Sequence, residues 1–139
     1  MNAVDTNIIL YSIDRNEPTK QFKAQRLLQQ LRSGTEPTFL LWQVLGELGS
    51  QLRRWRDQGK LTPPEFDQHV QAFRHLFPLA LPTAAVFDVA LDLASRFSLA
   101  HWDSMLLGAC KAAGVVNLYT EDMGAPTVID GVNLMNPLV

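Results

Sequence analysis

Short segments rich in β-branched and apolar residues alternate along this chain with segments whose apolar residues recur every three or four positions. The strand-like segments are residues 3–4, 38–41, 79–81 and 115–119, and a last short one is expected at 127–129. Strands that alternate with helices form a mostly parallel sheet, because each return to the same edge needs a crossover helix. The pattern therefore predicts an α/β fold with a central, mostly parallel sheet and helices on both faces.

The helical segments carry recognisable ends. A helix starting near Thr19 should end at Gly34 in the left-handed conformation, and Thr62 with Glu65 forms a capping-box pattern. Residues 8–13 fit a continuing strand and a helix capped by Asp5 or Thr6 equally well. The two helices expected between residues 43 and 77, with no strong strand between them, predict a projecting helical hairpin.

Composition places the chain among ordinary globular domains. Its 139 residues are 47% apolar and 19% charged, which predicts one domain over residues 1–139. No apolar run approaches the roughly 18 residues of a membrane span, and the N-terminal residues lack the pattern of a signal peptide. The single Cys110 excludes an internal disulfide and fits a reducing compartment, so we expect a cytoplasmic protein without a membrane anchor.

Charge is unevenly distributed between the two halves. Residues 1–60 contain nine basic and six acidic residues, whereas residues 61–139 contain three basic and eight acidic ones. Arg53, Arg54 and Arg56 cluster late in one predicted helix, where they favour the helix C-terminus electrostatically or contact the phosphates of an RNA. The sequence leaves both roles open.

Four acids fall at ends of predicted elements: Asp5, Glu47, Asp103 and Asp122. Taken singly, they fit a helix cap, a surface position, a first-turn acid and a turn residue. Parallel strands, however, bring their carboxyl ends to one edge, where packed carboxylates repel one another unless a cation offsets them. Mg²⁺ or Mn²⁺ is the natural ion for oxygen ligands, and beside a phosphodiester it activates a water nucleophile.

Four short sequence segments that contain these acids point to a known family. They are Asp5-Thr6-Asn7, the segment around Glu47, His101-Trp102-Asp103-Ser104, and Thr120-Glu121-Asp122-Met123. In their order, spacing and total length the chain resembles the PIN-domain ribonucleases, especially the VapC toxins of type II toxin–antitoxin systems. The family's first strand is usually longer than the short strand expected here, which consists of Ala3 and Val4.

The resemblance implies a PIN-like three-layer α/β/α domain that cleaves RNA with Mg²⁺ or Mn²⁺. It assigns the metal-binding and catalytic roles to Asp5, Glu47, Asp103 and Asp122, and supporting polar roles to Thr6, Asn7 and Thr120. Glu121 is adjacent to the matching acid rather than being that acid. A small antitoxin and a homodimer are the partners that the resemblance implies.

Two alternatives remain at this stage. One is a non-catalytic module of the same fold, and the other is a phosphotransferase that uses a strand-end aspartate. A dehalogenase-like phosphatase requires an acidic residue at the position of Asn7, and a receiver domain requires a lysine at the position of Thr120-Glu121-Asp122. Both requirements disfavour the phosphotransferase.

Two glycines, Gly46 and Gly49, lie inside a predicted helix, where each is unfavourable relative to alanine. They predict that another backbone approaches this helix closely, from the core, a second subunit or an antitoxin segment.

Overall fold

A computed structural model describes all 139 residues and contains six strands and six helices. In chain order the elements are β1 (Asn2–Val4), α1 (Thr6–Tyr11), α2 (Pro18–Ser33), β2 (Thr38–Leu41), α3 (Trp42–Asp57), α4 (Pro63–Arg74), β3 (Leu79–Ala80), α5 (Ala84–Phe97), α6 (His101–Ala112), β4 (Asn117–Tyr119), β5 (Thr127–Ile129) and β6 (Val132–Met135). The mixed α/β class predicted from the alternation is confirmed.

The strands form one sheet in the order β3-β2-β1-β4-β6-β5, parallel throughout except for β5, which is antiparallel to β6. Ala3 of β1 lies opposite Phe39 of β2 and Leu118 of β4, so β1 is central. From β1 the chain moves one way to β2 and β3, and then crosses back to β4. Right-handed crossovers therefore place α1–α4 on one face and α5–α6 on the other.

The core lies on both faces of the central strands. Ala3 and Leu118 are fully buried in the sheet, Leu48 and Phe73 contribute from α3 and α4, and Leu107 contributes from α6. The helices α3 and α4 pack against each other as a hairpin, but the hairpin contributes to the core through Leu48 and Phe73 instead of only projecting from it. None of the six helices has the length and hydropathy that a membrane crossing requires.

The ambiguous segment after β1 is a helix. Asp5 caps α1 through its side chain, which accepts a hydrogen bond from the Thr6 amide. The capping box predicted at Thr62 and Glu65 is confirmed. The left-handed end predicted at Gly34 is wrong, because this residue is extended, with φ of −74°. Only residues 34–37 join α2 to β2, so the chain leaves the helix already directed toward the strand.

Two further expectations need correction. Residues 132–135 form β6, which the sequence reading missed and which pairs with β4 and β5. Gly46 and Gly49 meet no close neighbour inside this chain, since a Cβ built on either one has nothing within 4 Å. The core is therefore excluded as the reason for these two glycines.

Candidate active site

The crossover connections change from one face of the sheet to the other at the boundary between β1 and β4. Neighbouring strands whose crossovers lie on opposite faces leave a crevice at their carboxyl ends, and ligands bind there in open α/β sheets. Asp5 directly follows β1 and Thr120 directly follows β4. The Asp5 amide donates to the carbonyl of Tyr119 at 2.9 Å, which continues the ladder between the strands to the mouth of this crevice.

Asp5 is the most buried of the four acids, with 8% of its surface exposed. Its Oδ1 accepts a hydrogen bond of 2.7 Å from the Thr6 amide, and its Oδ2 accepts one of 2.8 Å from the Thr120 hydroxyl. Burial raises the pKa of Asp5 to about 6, the two hydrogen bonds oppose that rise, and the charges of Asp122 and Glu47 add to it.

Asp122 lies beside Asp5 on the loop after β4. Its amide donates a hydrogen bond of 3.0 Å to the Thr120 hydroxyl oxygen, so a single hydroxyl connects the Asp5 carboxylate with the Asp122 backbone. Partial burial raises the pKa of Asp122 above its usual value, and the charges of Glu121 and Asp103 raise it further. The like-charge effects thus link Asp5 to Glu47 and Asp122, and Asp122 to Asp103.

Glu47 and Asp103 enter the crevice from the helices α3 and α6. Glu47 is exposed, and its Oε1 accepts a hydrogen bond of 3.0 Å from the Gln43 side-chain amide. The same nitrogen donates to the carbonyl of Trp102 at 3.2 Å, so Gln43 joins the two acid-bearing helices. The sequence reading missed Gln43, although its i, i+4 spacing to Glu47 was a usable signal.

The supporting polar residues occupy different environments. Thr120 is fully buried and makes both hydrogen bonds described above, whereas Asn7 is exposed. Thr6 is 5% exposed, and its hydroxyl oxygen is the one buried side-chain polar atom without a hydrogen-bond partner. A buried hydroxyl without a partner is costly, so this atom favours a further ligand or water next to Asp5.

The four acids have an excess of negative charge that no side chain offsets. None of the ion pairs in the chain includes any of them. Carboxylates and hydroxyls are oxygen donors of the kind that Mg²⁺ and Mn²⁺ prefer, so the donor set fits a hard divalent ion. As the side chains stand, nowhere do three His, Cys, Asp or Glu residues lie close enough together to hold a metal ion.

The three clustered arginines of α3 separate into two kinds. Arg56 lies 3.3 Å from the Asp57 carboxylate and stacks over the Phe66 ring at 4.4 Å, so it is engaged within the fold. Arg53 and Arg54 are exposed, make no ion pair, and line an open groove that also contains Gly46 and Gly49.

An apolar pocket of about 230 Å³ adjoins the crevice. Trp42 and Trp102, the neighbours of Gln43 and Asp103, line it together with Leu81 and Met105. The residues Trp42, Trp102 and Leu81 are 52%, 65% and 69% exposed. Large apolar side chains exposed around one pocket mark a surface for another molecule.

Solved structures resemble this arrangement over nearly the whole chain. A toxin–antitoxin complex from Klebsiella pneumoniae matches at a TM-score of 0.68 and 16% identity, covering 99% of this chain and 98% of that one. VapC20 from Mycobacterium tuberculosis, described as a sarcin–ricin loop cleaving toxin, matches at 0.60 and 17%, covering 89% and 92%. The chain has the fold of the VapC toxins.

A further match extends the same result. VapBC2 from Rickettsia felis, solved with a DNA fragment from its promoter, matches at a TM-score of 0.68 and 15% identity and covers 97% of both chains. A scan against protein-family models gives no match, and neither does a sequence search of curated proteins. At these identities the likeness establishes the VapC fold, as the sequence resemblance predicted.

Proposed function

We propose that this chain is a metal-dependent endoribonuclease that hydrolyses RNA phosphodiester bonds and acts as the toxin of a toxin–antitoxin pair. The observation that carries the proposal is the environment of Asp5. This carboxylate is buried at the switch point of the sheet, next to the like charges of Glu47 and Asp122 and without a cationic side chain. A buried carboxylate with a raised pKa, close to further acids and without a cationic partner, is typical of a functional site that binds a cation.

In this proposal Asp5, Glu47, Asp103 and Asp122 hold Mg²⁺ or Mn²⁺. The bound ion would polarise the scissile phosphoryl group and lower the pKa of the attacking water. Thr120 orients Asp5 and favours its ionised form, because its hydroxyl donates a hydrogen bond to Oδ2. The unpartnered Thr6 hydroxyl and the exposed Asn7 are available to bind water at the same edge.

The proposed RNA path runs from the acids along α3. Glu47 and the two free arginines belong to this one helix, and Arg53 and Arg54 are exposed within the groove described above. Guanidinium groups bind phosphates, so they would place the RNA backbone beside the acids. The formal charge of −2 does not oppose an anionic substrate, because one bound divalent ion would offset it and because four of the fourteen acids belong to the proposed metal site.

Protein partners form the last part of the proposal. The fold is shared with chains solved as toxin–antitoxin complexes, and the exposed tryptophans around the apolar pocket offer a surface for a small antitoxin. We also propose that the chain works as a homodimer in the cytoplasm, where its RNA would be found. The open surface at Gly46 and Gly49 is available to either partner.

The deciding experiment is RNA cleavage by the purified chain with Mg²⁺, Mn²⁺ or EDTA. We expect cleavage with either metal, none with EDTA, and none for Asp5→Asn or Asp103→Asn at unchanged circular dichroism. Asp67→Asn, an exposed acid on α4, is the matched control and should cleave like the wild type. Metal-dependent cleavage retained by both site variants would disprove the assignment. Absent cleavage together with antitoxin binding would instead favour a non-catalytic module.

A further inference from the structure

Three side chains form a polar cluster next to the acids but outside the proposed metal site. The Tyr11 hydroxyl donates a hydrogen bond of 2.7 Å to Oε1 of Glu121. The Lys20 ammonium lies 3.8 Å from Oε2 of Glu121, donates to the Tyr11 hydroxyl at 3.3 Å, and sits 4.7 Å from the centre of the Tyr11 ring. We call Tyr11, Lys20 and Glu121 the loop clamp.

The clamp connects the first two helices with the loop that carries Asp122. Tyr11 is the last residue of α1, Lys20 lies in the first turn of α2, and Glu121 stands between Thr120 and Asp122. Thr120 binds Asp5 through its side chain, whereas the adjacent Glu121 side chain binds the two helices. The segment is therefore held by two consecutive side chains that have different partners.

The loop needs such support because of its backbone. Met123 and Gly124, directly after Asp122, have φ values of 55° and 75°. The left-handed conformation is unfavourable for a residue with a Cβ such as Met123, and it persists only where the surroundings hold it. The turn is closed by the Ala125 amide, which donates to the Asp122 carbonyl at 3.1 Å. The position of Asp122 thus depends on a strained turn.

The clamp also determines what Glu121 can do. One of its oxygens accepts the short Tyr11 hydrogen bond and the other faces Lys20, and only 23% of its side chain is exposed. The carboxylate of Glu121 therefore has its partners on α1 and α2, whereas no ion pair engages the carboxylate of Asp122. The short hydrogen bond to a charged acceptor is the stronger of the two contacts, since an exposed ion pair contributes little.

We propose that Tyr11 and Lys20 are positioning residues that act through Glu121 to keep the loop that carries Asp122 next to Asp5, at the proposed metal site. This inference rests on the proposed function and assigns Glu121 to the support of the loop instead of to the ion. Without the clamp the loop would occupy its binding-competent conformation for less of the time. The apparent metal affinity falls in proportion to the population of that conformation, while the cleavage rate of the metal-saturated enzyme is unchanged.

The test measures Mn²⁺ binding by electron paramagnetic resonance and cleavage as a function of Mn²⁺ concentration. For Tyr11→Phe we expect an apparent dissociation constant about tenfold higher, and for Lys20→Met about threefold higher. Cleavage at saturating Mn²⁺ should return to the wild-type rate in both. Glu121→Gln, which keeps an acceptor for the Tyr11 hydroxyl, should lose less affinity than Glu121→Ala.

Matched controls separate the clamp from general destabilisation. Lys23→Met removes the same charge from the same helix, but Lys23 donates to the Leu138 carbonyl instead. Tyr119→Phe removes a hydroxyl that bonds to no other protein group. Both should bind Mn²⁺ like the wild type. Hydrogen exchange of the metal-free protein should accelerate at the amides of 121–125 in Tyr11→Phe and not in either control.

Three outcomes would overturn the proposal in distinguishable ways. Clamp variants with wild-type Mn²⁺ affinity and exchange, in a protein that does cleave RNA, would refute the clamp alone. A Glu121→Gln variant that loses as much affinity as Asp122→Asn would make Glu121 a metal ligand. A wild-type chain that neither binds Mn²⁺ nor cleaves RNA would overturn the proposed function, and the clamp with it.

Discussion

Thr120 donates a hydrogen bond of 2.8 Å to Asp5 across 115 positions of sequence. The bond forms because β1 and β4 are neighbours in the sheet and end at the same edge. The same Thr120 oxygen accepts the Asp122 amide at 3.0 Å, so one buried hydroxyl orders two of the four acids. A hydroxyl that donates to a carboxylate stabilises its ionised form, and metal binding requires that form.

The first prediction concerns this hydroxyl. Thr120→Val keeps the shape of the side chain but removes the donor to Asp5 and the acceptor for the Asp122 amide. The pKa of Asp5, already raised to about 6, should then rise further. The pH profile of Mg²⁺-dependent cleavage should shift toward alkaline pH. Thr120→Ser retains the hydroxyl and should restore the profile; an unshifted profile in Thr120→Val would contradict this role.

The second prediction concerns the stability of the metal-free chain. The pKa of Asp5 is raised in the folded state, from 3.8 to about 6, so folding favours the protonated form. This stabilisation is complete below pH 3.8 and is lost as the pH rises through about 6. At about 1.4 kcal/mol per pKa unit, Asp5 should cost the metal-free fold about 3 kcal/mol at pH 8.

Comparison with Asp5→Asn isolates that contribution, since the other carboxyl groups titrate in both proteins. In EDTA, thermal melts should show the wild type losing stability relative to the variant between pH 4 and pH 8. Mg²⁺ should reverse the loss at pH 8 in the wild type only, because the ion binds the ionised site of the folded state. If the melting temperatures of the two proteins change equally with pH, the ionised Asp5 does not destabilise the metal-free fold.

The sequence was sufficient to nominate two of the acids on a physical ground, whereas Glu47 and Asp103, which lie on helices, were assigned to the site through the family resemblance. Asp5 and Asp122 follow strands, and strand ends in a parallel sheet share one edge. The Thr120–Asp5 hydrogen bond was beyond that reasoning, because it depends on the register in which Val4 pairs with Tyr119. The role of Glu121 likewise depends on where α1 and α2 place Tyr11 and Lys20.

The helices and strands also differ in how far the sequence alone predicts them. The capping box at Thr62 is encoded within four residues, so sequence reading found it. Residues 8–13 stayed ambiguous because their apolar run is buried in either conformation, and the Asp5 cap decides for a helix. The strand β6 is only four residues long and is stabilised by its distant neighbour β4, through pairs such as Leu118 with Leu134.

The third prediction concerns Gln43, which joins the helices that carry Glu47 and Asp103. Gln43→Leu removes both hydrogen bonds of the side-chain amide, at 3.0 Å to Glu47 and 3.2 Å to the Trp102 carbonyl. We expect about tenfold weaker Mg²⁺ activation, because groups that orient metal ligands typically contribute that much. Gln51→Leu on the same helix, where the amide has no side-chain partner, should behave like the wild type. Equal metal requirements in the two variants would exclude Gln43 from the site.

The fourth prediction separates the three arginines of α3 by their surroundings. Arg53 and Arg54 are exposed and make no ion pair, whereas Arg56 is held by Asp57 and the Phe66 ring. If the first two contact RNA phosphates, the double variant Arg53→Gln/Arg54→Gln should bind single-stranded RNA more weakly. Its slope of log affinity against log salt should fall by about 1.4, since each phosphate contact on a single strand contributes about 0.7.

Binding is best measured on the cleavage-deficient Asp5→Asn background, so that the RNA stays intact during the titration. Arg26→Gln, an exposed arginine of α2 without an ion pair, is the matched control for charge and should leave the slope unchanged. Arg56→Gln should instead lower the melting temperature, because it removes contacts within the fold. A double variant with the wild-type salt slope would mean that Arg53 and Arg54 do not contact RNA and instead interact favourably with the dipole at the C-terminus of α3.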